Sequence, residues 1–289
     1  MQQIIQYIHQ SLSGIYDESE IRTISFLLIE KMTGFSRTDI LSNKSTHFSV
    51  EQQQKLDGFI EKLKKNIPVQ YVLGETEFFG LKFTVDNSVL IPRPETEELV
   101  EWICTSLSPS LLERDLGRGA LRILDIGTGS GCIAIALKKA LPFAEVAAFD
   151  LSEKALHTAR KNAENNSISV DFRQVDILAD NNFDQKWDII VSNPPYIPQK
   201  EHVNMCERVW RNEPELALFV PDENPLIFCE RIARFAQNHL ADDGKLFFEI
   251  HFDAAKAVFD LLQSMNFNNI EIRKDISGND RMIKCDIKN

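Results

Sequence analysis

The chain has 289 residues, a hydrophobic fraction of 43% and a formal net charge of −11 at pH 7. This length accommodates one large domain together with a smaller one. The acidic charge argues against tight, sequence-independent binding to a nucleic-acid phosphate backbone, so we expect no nucleic-acid partner.

Targeting signals and cysteine spacing in the sequence indicate the cellular compartment of a protein. The sequence has no apolar run of the length that spans a membrane, and the N-terminus MQQIIQYIHQ lacks the basic region and apolar core of a signal peptide. The five cysteines are scattered, without the C-x-x-C pair that would indicate a zinc site. We therefore expect a cytoplasmic protein with reduced thiols and no membrane association.

Residues 1–70 are predicted to form a small all-helical domain. Asp17 and Ser49 each precede, by three residues, a Glu or Gln that can return a hydrogen bond, which is the pattern of a helix N-cap. The last predicted helix must end before Pro68, because the residue preceding a proline is displaced from helical geometry.

Residues 71–107 are predicted to connect this domain to the next. Alternating apolar positions around Gly80 predict a short hairpin, and a Pro-Arg-Pro sequence then leads into a helix. The third domain, residues 108–289, begins with a predicted surface loop over residues 108–120.

From residue 121 onward, short apolar segments alternate with helical ones. This alternation predicts an α/β fold with a parallel, doubly wound, Rossmann-like sheet. Two further apolar segments close to the C-terminus predict an antiparallel hairpin at the edge of the sheet. The predicted strands are LRILDI (121–126), EVAAFD (145–150), VDFRQV (170–175), WDIIVS (187–192), GKLFFEI (244–250), NIEIRKD (269–275) and RMIKCDI (281–287).

A glycine-rich loop follows the first of these strands. Its glycines permit a tight turn and a close ligand approach at the carboxyl edge of the sheet, and Asp150 ends the next strand, where such folds hold a ribose. The pattern also fits a dinucleotide fingerprint, so the loop alone leaves NAD and S-adenosylmethionine open. Asp125 favours S-adenosylmethionine, because a carboxylate attracts an ammonium group and repels a pyrophosphate. The predicted cofactor-binding residues are Asp125, Gly127, Thr128, Gly129, Ser130, Gly131 and Asp150.

The segment DIIVSNPPYIP (188–198) places a rigid polar turn at the end of a strand. Asn193 is confined to extended backbone because it precedes a proline, and Pro194 and Pro195 have fixed φ angles. The Asn193 side chain and the proline carbonyls offer acceptors, and Tyr196 offers a flat aromatic face. These groups suit a planar NH2, so we predict that the four residues are catalytic in methyl transfer to an amino group.

Six segments, taken in order, resemble the release factor glutamine methyltransferase family (the HemK or PrmC type). The N-P-P-Y sequence alone is shared with DNA adenine methyltransferases, whereas the I-P-R-P-E-T-E and N-E-P segments narrow the resemblance. It covers nearly the whole chain, including the helical front domain. The segments are IPRPETEELV, LDIGTGSGCIAIAL, FDLSEKAL, VSNPPYIP, NEPELAL and GNDRMI.

The resemblance implies a class I methyltransferase that uses S-adenosylmethionine. Its expected partners are class-1 peptide-chain release factors, methylated on the side-chain nitrogen (N5) of the glutamine in their Gly-Gly-Gln motif. Residues 127–131 and Asp150 would hold the cofactor, Asn193 to Tyr196 would hold the glutamine amide, and the helical domain would help to dock the release factor. Arg93, Glu95 and Thr96 lie on the connection that approaches the site, where capping of the following helix is the simpler role.

His251 and Ile177 differ from residues that relatives in the family carry. His251 stands where many members carry a glycine, and Glu249 with His251 forms an E-x-H sequence; without further ligands we predict no metal site. Asp176 and Ile177 are expected to lie near the adenine, although Ile177 replaces an aromatic residue of some relatives, and Asn193 is expected to border the cofactor as well.

Three other functions compete with this one. An N6-adenine DNA or rRNA methyltransferase would use the same N-P-P-Y pocket but needs a basic groove, which the acidic chain disfavours. A cofactor-binding scaffold without activity is the second alternative, although every residue of both motifs is present. An NAD-dependent oxidoreductase is the third, and N-P-P-Y gives it no hydride chemistry.

Overall fold

The computed structural model describes residues 1–42, 47–107, 120–179 and 183–287. Contacts between residues divide the chain into a helical unit, residues 1–75 with 206–212, and an α/β unit, residues 76–205 with 213–289. The division into 1–70, 71–107 and 108–289 stays a prediction. The loop predicted over 108–120 falls, apart from its last residue, outside the described residues.

The helical unit packs its helices around one apolar core. The Asp17 carboxylate accepts a hydrogen bond from the Glu20 backbone N–H at 2.8 Å, and Ser49 and Gln52 exchange two hydrogen bonds as a capping box, as predicted. The fourth helix ends at Lys64, ahead of Pro68. The helices are α1 (Gln2–Leu12), α2 (Glu18–Thr33), α3 (Arg37–Leu41), α4 (Val50–Lys64), α5 (Val69–Leu73) and the later α9 (Glu207–Trp210).

The α/β unit contains a seven-stranded sheet in the order β10-β11-β9-β6-β3-β4-β5. The strands from β9 to β5 are parallel, and β11 and β10 continue the sheet antiparallel at one edge. The predicted parallel sheet and its edge hairpin are thus confirmed. The strands are β3 (Arg122–Ile126), β4 (Glu145–Asp150), β5 (Asp171–Gln174), β6 (Trp187–Ser192), β9 (Leu240–Glu249), β10 (Phe267–Lys274) and β11 (Asp280–Ile287).

Two small pairs of strands accompany the main sheet. The pair β1 (Glu75–Phe78) and β2 (Leu81–Thr84) is the hairpin predicted around Gly80. The other pair, β7 (Ile197–Pro198) and β8 (Phe219–Val220), is parallel and follows the N-P-P-Y segment.

Helices cover both faces of the sheet. Successive strand residues belong to different hydrophobic clusters, since Ile189 and Val191 pack in one and Ile190 in the other, as alternation along a strand requires. No helix within the described ranges is long and apolar enough to cross a membrane. The helices are α6 (Pro94–Thr105), α7 (Cys132–Ala140), α8 (Glu153–Asn165), α10 (Glu215–Leu218), α11 (Ile227–His239) and α12 (Ala255–Ser264).

The register of the parallel strands gathers three strand ends at one edge. Ile126, the last residue of β3, lies opposite Ser192 on β6 and Phe149 on β4. The glycine loop, Asp150 and Asn193 therefore emerge side by side, at the carboxyl edge where open α/β sheets bind ligands.

Candidate active site

The glycine loop after β3 is held by backbone hydrogen bonds to β4. The N–H groups of Gly127 and Thr128 donate to the Phe149 carbonyl at 2.8 and 3.0 Å. Gly127, Gly129 and Gly131 have φ angles of 75°, 54° and 82°, a left-handed region that disfavours residues with a side chain. The sequence forms this turn because glycine occupies each of the three positions that require it.

Asp125 lies behind the loop and is fully buried. The Thr128 hydroxyl donates to Asp125 Oδ2 at 2.6 Å. Asp125 Oδ1 has no hydrogen-bond partner within the described part of the chain. Burial raises the pKa of Asp125 to about 7, and the Thr128 hydrogen bond offsets only part of this rise. The carboxyl group thus fixes the loop through one oxygen and keeps the other available.

Asp150 connects the ends of the loop and of β4. Its Oδ2 accepts a hydrogen bond from the Gly129 N–H at 2.8 Å, and its Oδ1 accepts one from the Ser152 N–H at 2.8 Å. Burial raises the pKa of Asp150, against the effect of these backbone donors. The same side chain that orders the loop borders a cavity.

A cavity of about 250 Å³ opens beside these strand ends. Eight residues predicted from the sequence line it: Gly127, Gly129, Asp150, Asp176, Ile177, Asn193, Pro194 and Pro195. The other predicted residues are absent from its described lining: Asp125, Thr128, Ser130, Gly131 and Tyr196. The structure therefore brings one wall of glycines and carboxylates against one wall of the N-P-P-Y turn.

Tyr196 faces a second cavity, of about 450 Å³. Its ring centroid lies 5.7 Å from that of His251, which also lines this cavity. Burial and the neighbouring Glu249 raise the pKa of Tyr196, so its hydroxyl stays protonated at neutral pH. The N-P-P-Y turn thus borders one cavity through Asn193 and the other through Tyr196.

The Asn193 side chain is connected to two buried groups. Its Nδ2 donates to Thr96 Oγ1 at 3.3 Å, and Thr96 Oγ1 donates to Glu249 Oε2 at 2.6 Å. Thr96 and Glu249 are 1% and 2% exposed, so water does not compete for these contacts. Burial raises the pKa of Glu249 to about 7, partly offset by the Thr96 hydrogen bond.

Thr96 does not cap α6, the role that the sequence made the simpler one. The N-cap residue is Arg93, and no side-chain hydrogen bond caps this helix among the described residues. Pro94 at the first helical position lacks one of the N–H groups that the start of a helix leaves unpaired. The Thr96 hydroxyl is therefore free to point to Glu249 on the central sheet.

Glu213 was not predicted as a site residue, although its N-E-P sequence was noted. It is 4% exposed and accepts hydrogen bonds from the Arg93 guanidinium at 2.6 Å and the Ile91 N–H at 3.1 Å. Leu90, next to Ile91, and Pro214, next to Glu213, both line the cavity. Glu213 thus joins the connection before α6 to the segment after it, an arrangement that a separation of 120 residues conceals in the sequence.

The structure holds no candidate metal cluster in its described ranges. No three His, Cys, Asp or Glu side chains there lie together as ligands would. His251 lies 4.0 Å from Glu201 and packs against Phe252 at a ring distance of 4.5 Å.

Two family models match this chain. Residues 3–74 match the PrmC N-terminal domain, and residues 107–215 match the methyltransferase small domain. The first match covers the helical segment and the second covers the glycine loop and the N-P-P-Y turn.

Proteins of known name are similar over nearly the full length. A release factor glutamine methyltransferase of Flavobacterium psychrophilum is 44% identical over 280 residues, which is 96% of this chain and 96% of that protein. The protein of the same name from Bacteroides thetaiotaomicron is 44% identical over 284 residues, 98% of this chain and 99% of that one.

Solved structures show a similar fold at low identity. The human Mettl16 catalytic domain, crystallised with an RNA hairpin, has a TM-score of 0.55 at 19% identity and covers 74% of this chain and 77% of its own. A human methyltransferase 10 domain containing protein has a TM-score of 0.52 at 18% identity, covering 73% of this chain and 91% of its own. At such identities the likeness concerns the fold alone.

Proposed function

The chain belongs to the release factor glutamine methyltransferase family, and on this premise we propose that it methylates the glutamine of the Gly-Gly-Gln motif of class-1 peptide-chain release factors. The acceptor atom is the side-chain amide nitrogen (N5). One observation supports the proposal most directly: Asn193, Pro194 and Pro195 of the N-P-P-Y turn border the same cavity as Gly127 and Gly129, at the carboxyl edge of the sheet.

The methyl donor is S-adenosylmethionine, which supplies a methyl group on a sulfonium. The residues present fit this molecule. Asp150 offers a carboxylate for ribose hydroxyls, and Ile177 and Leu178 offer an apolar wall for a purine. Asp125 lies behind the glycine loop, outside the described lining, and its Oδ1, which has no partner among the described residues, would attract an ammonium group. The left-handed glycines Gly127 and Gly129 keep their side of the cavity free of side chains.

The N-P-P-Y turn is proposed to hold the acceptor amide. An amide nitrogen is a poor nucleophile because its lone pair is delocalised. If the Asn193 oxygen and a proline carbonyl accept its two N–H groups, they orient the nitrogen and favour the positive charge that develops there. Fixed proline φ angles mean that this geometry costs little ordering on binding. Tyr196, which lines the neighbouring cavity, keeps its hydroxyl protonated because of its burial and supplies no base.

The helical unit is proposed to bind the body of the release factor. Its match to the PrmC N-terminal domain supports this assignment, since the relatives that share the name are similar over this region as well. Cytoplasmic location follows from the same proposal, because release factors act there in translation. The absence of a nucleic-acid partner stays a prediction from the net charge of −11.

Transfer of a labelled methyl group to three acceptors tests the function. The acceptors are a purified release factor, the same factor with its Gly-Gly-Gln glutamine replaced by alanine, and duplex DNA. We expect label only in the first. Label in DNA would replace this proposal with adenine methylation, and label in none would leave a cofactor-binding scaffold.

The variant Asn193→Ala provides the matched test of the mechanism. Removing a preorganised hydrogen-bond partner at a reacting group typically lowers kcat by about 100-fold or more. Binding of S-adenosylmethionine, measured by calorimetry, should remain close to that of the unchanged protein, because the amide serves the acceptor. Unchanged turnover in Asn193→Ala would contradict the mechanism.

A further inference from the structure

An asparagine that accepts a hydrogen bond from the substrate must present the correct end of its amide. Its Oδ1 accepts and its Nδ2 donates, and a rotation of half a turn exchanges them. The proposed contact of Asn193 with a substrate NH2 requires that Oδ1 face the acceptor. Some group of the protein has to select this orientation.

The Thr96 hydroxyl is the group that selects the orientation of the Asn193 amide. A hydroxyl has a single hydrogen, and an ionised carboxylate can only accept. The 2.6 Å contact between Thr96 Oγ1 and Glu249 Oε2 therefore takes the Thr96 hydrogen. Toward Asn193, 3.3 Å away, the Thr96 oxygen is left as an acceptor and must face Nδ2. Oδ1 is thereby turned away from Thr96.

We propose that Thr96 and Glu249 are positioning residues that fix the Asn193 amide with its oxygen toward the acceptor nitrogen. Glu249 sets the direction of the chain of hydrogen bonds, and Thr96 transmits it. Both side chains are almost fully buried and come from different elements, β9 and α6. Neither touches the acceptor, so each acts through Asn193. The proposal rests on the proposed function, because it assigns Asn193 to the acceptor amide.

Protonation of Glu249 would reverse the direction. A neutral carboxyl donates to Thr96, whose hydrogen then points to Asn193 and favours Oδ1 on that side. The pKa of Glu249, about 7, places this change near neutral pH. Arg281 and Arg93 lower this pKa, and Glu95 raises it. Groups that face Glu249 from the elements packed on it are Arg93, Glu95, Cys132, Tyr196 and Arg281.

The variants Thr96→Val and Thr96→Ser distinguish the effect of the Thr96 hydroxyl from the effect of the shape of the side chain. Valine keeps the shape and removes the hydrogen bonds, so kcat at saturating S-adenosylmethionine should fall about 10- to 100-fold, as for a small misplacement of a reacting group. Serine restores the hydroxyl and should recover most of kcat. Thr105→Val is the matched control on the same helix, since Thr105 is exposed and its hydroxyl donates to the Glu101 and Trp102 carbonyls of that helix. It should leave kcat unchanged.

Glu249→Gln tests the direction of the hydrogen bonds through the pH profile. In the unchanged protein kcat should fall as the pH drops below about 7, approaching tenfold per pH unit, because the ionised form is the active one. Glutamine does not titrate, so this limb should be absent in Glu249→Gln. Glu271→Gln, on exposed edge strand β10, is the matched control and should keep the limb.

A second readout does not depend on the acceptor. The side-chain amide resonances of Asn193 should move with pH with a midpoint near 7 in the unchanged protein, and not in Glu249→Gln. A persistent acid limb or persistent titration in Glu249→Gln would overturn the proposal, as would wild-type kcat in a folded Thr96→Val. If the methyl group enters another acceptor, the proposed function fails while these comparisons still decide the role of Thr96 and Glu249.

Discussion

Asp125 is a buried carboxyl behind the glycine loop, and its protonation should control cofactor binding. It is fully buried, one oxygen accepts from Thr128, and the other has no hydrogen-bond partner in the described ranges. Burial raises its pKa to about 7, so the carboxyl is mostly neutral at pH 6 and mostly ionised at pH 8. If the ammonium group of the cofactor meets the unpaired oxygen, only the ionised form offers a full charge.

We therefore expect the affinity for S-adenosylhomocysteine, which keeps the amino-acid portion, to weaken as the pH falls from 7.5 to 5.5. The ionised form binds the cation and becomes scarcer below the pKa, so Kd should rise by up to about tenfold per pH unit. Methylthioadenosine, which lacks the amino-acid portion but keeps the ribose that Asp150 would bind, is the control and should lose less affinity than S-adenosylhomocysteine over this range. A flat profile for both ligands in calorimetry would leave Asp125 with the loop-holding role alone.

The loop between β3 and α7 uses one glycine to let a ligand approach and another to let two helices pack closely. A Cβ on Gly131 would lie 3.0 Å from the Ile135 Cδ1 and 3.1 Å from the Ala159 Cβ, where α7 meets α8. Among the described residues other than its chain neighbours, none lies within 4 Å of a Cβ placed on Gly129, which lines the cavity. Both glycines have positive φ angles, of 82° and 54°.

Gly131→Ala and Gly129→Ala should consequently fail in different ways. Both variants incur the left-handed backbone cost of about 1 to 2 kcal/mol, and Gly131→Ala adds overpacking of similar size. Gly131→Ala should thus have the lower urea midpoint, whereas Gly129→Ala should lose more affinity for S-adenosylmethionine. Equal losses of stability, with equal losses of affinity, would contradict this division of roles.

Local rules predict these elements well, because they act over a few residues. The caps at Asp17 and Ser49, the strand ends at Ile126 and Asp150, and the turn at Asn193 all follow from spacing and from proline or glycine geometry. The sheet then brings strand ends together, so the loop and the turn could be predicted to share one edge. That part of the site was accessible from the sequence.

Contacts between distant segments were not accessible in this way. Thr96 and Glu249 are separated by 153 residues, and Arg93 and Glu213 by 120. A buried carboxylate needs a donor, but the sequence does not say which hydroxyl or guanidinium will reach it. From the sequence alone, helix capping is therefore the simpler role for Thr96, and Glu249 is expected to be an ordinary strand end.

After the N-P-P-Y turn, a short segment of the chain belongs again to the helical unit. Residues 206–212 belong to that unit by their contacts, whereas the residues before and after them belong to the α/β unit. The Arg208 guanidinium lies 4.1 Å from the Tyr16 ring centroid and 2.8 Å from the Glu20 carboxylate. Pro214, two residues beyond the segment, already lines the cavity. The chain therefore runs directly from contacts in the helical unit to the cavity wall.

Arg208→Ala should loosen this segment and make it a better protease substrate. A partly exposed cation–π contact together with an ion pair contributes about 1 kcal/mol, so local opening should increase roughly fivefold. Cleavage by trypsin after Arg211, followed by mass spectrometry under native conditions, measures this opening. Arg173→Ala, which removes an exposed ion pair with Asp171 on β5, is the control and should leave that rate unchanged. If Arg208→Ala also left it unchanged, the order of residues 206–212 would have to come from its other contacts, such as the Asn212 hydrogen bond to the Asn66 carbonyl.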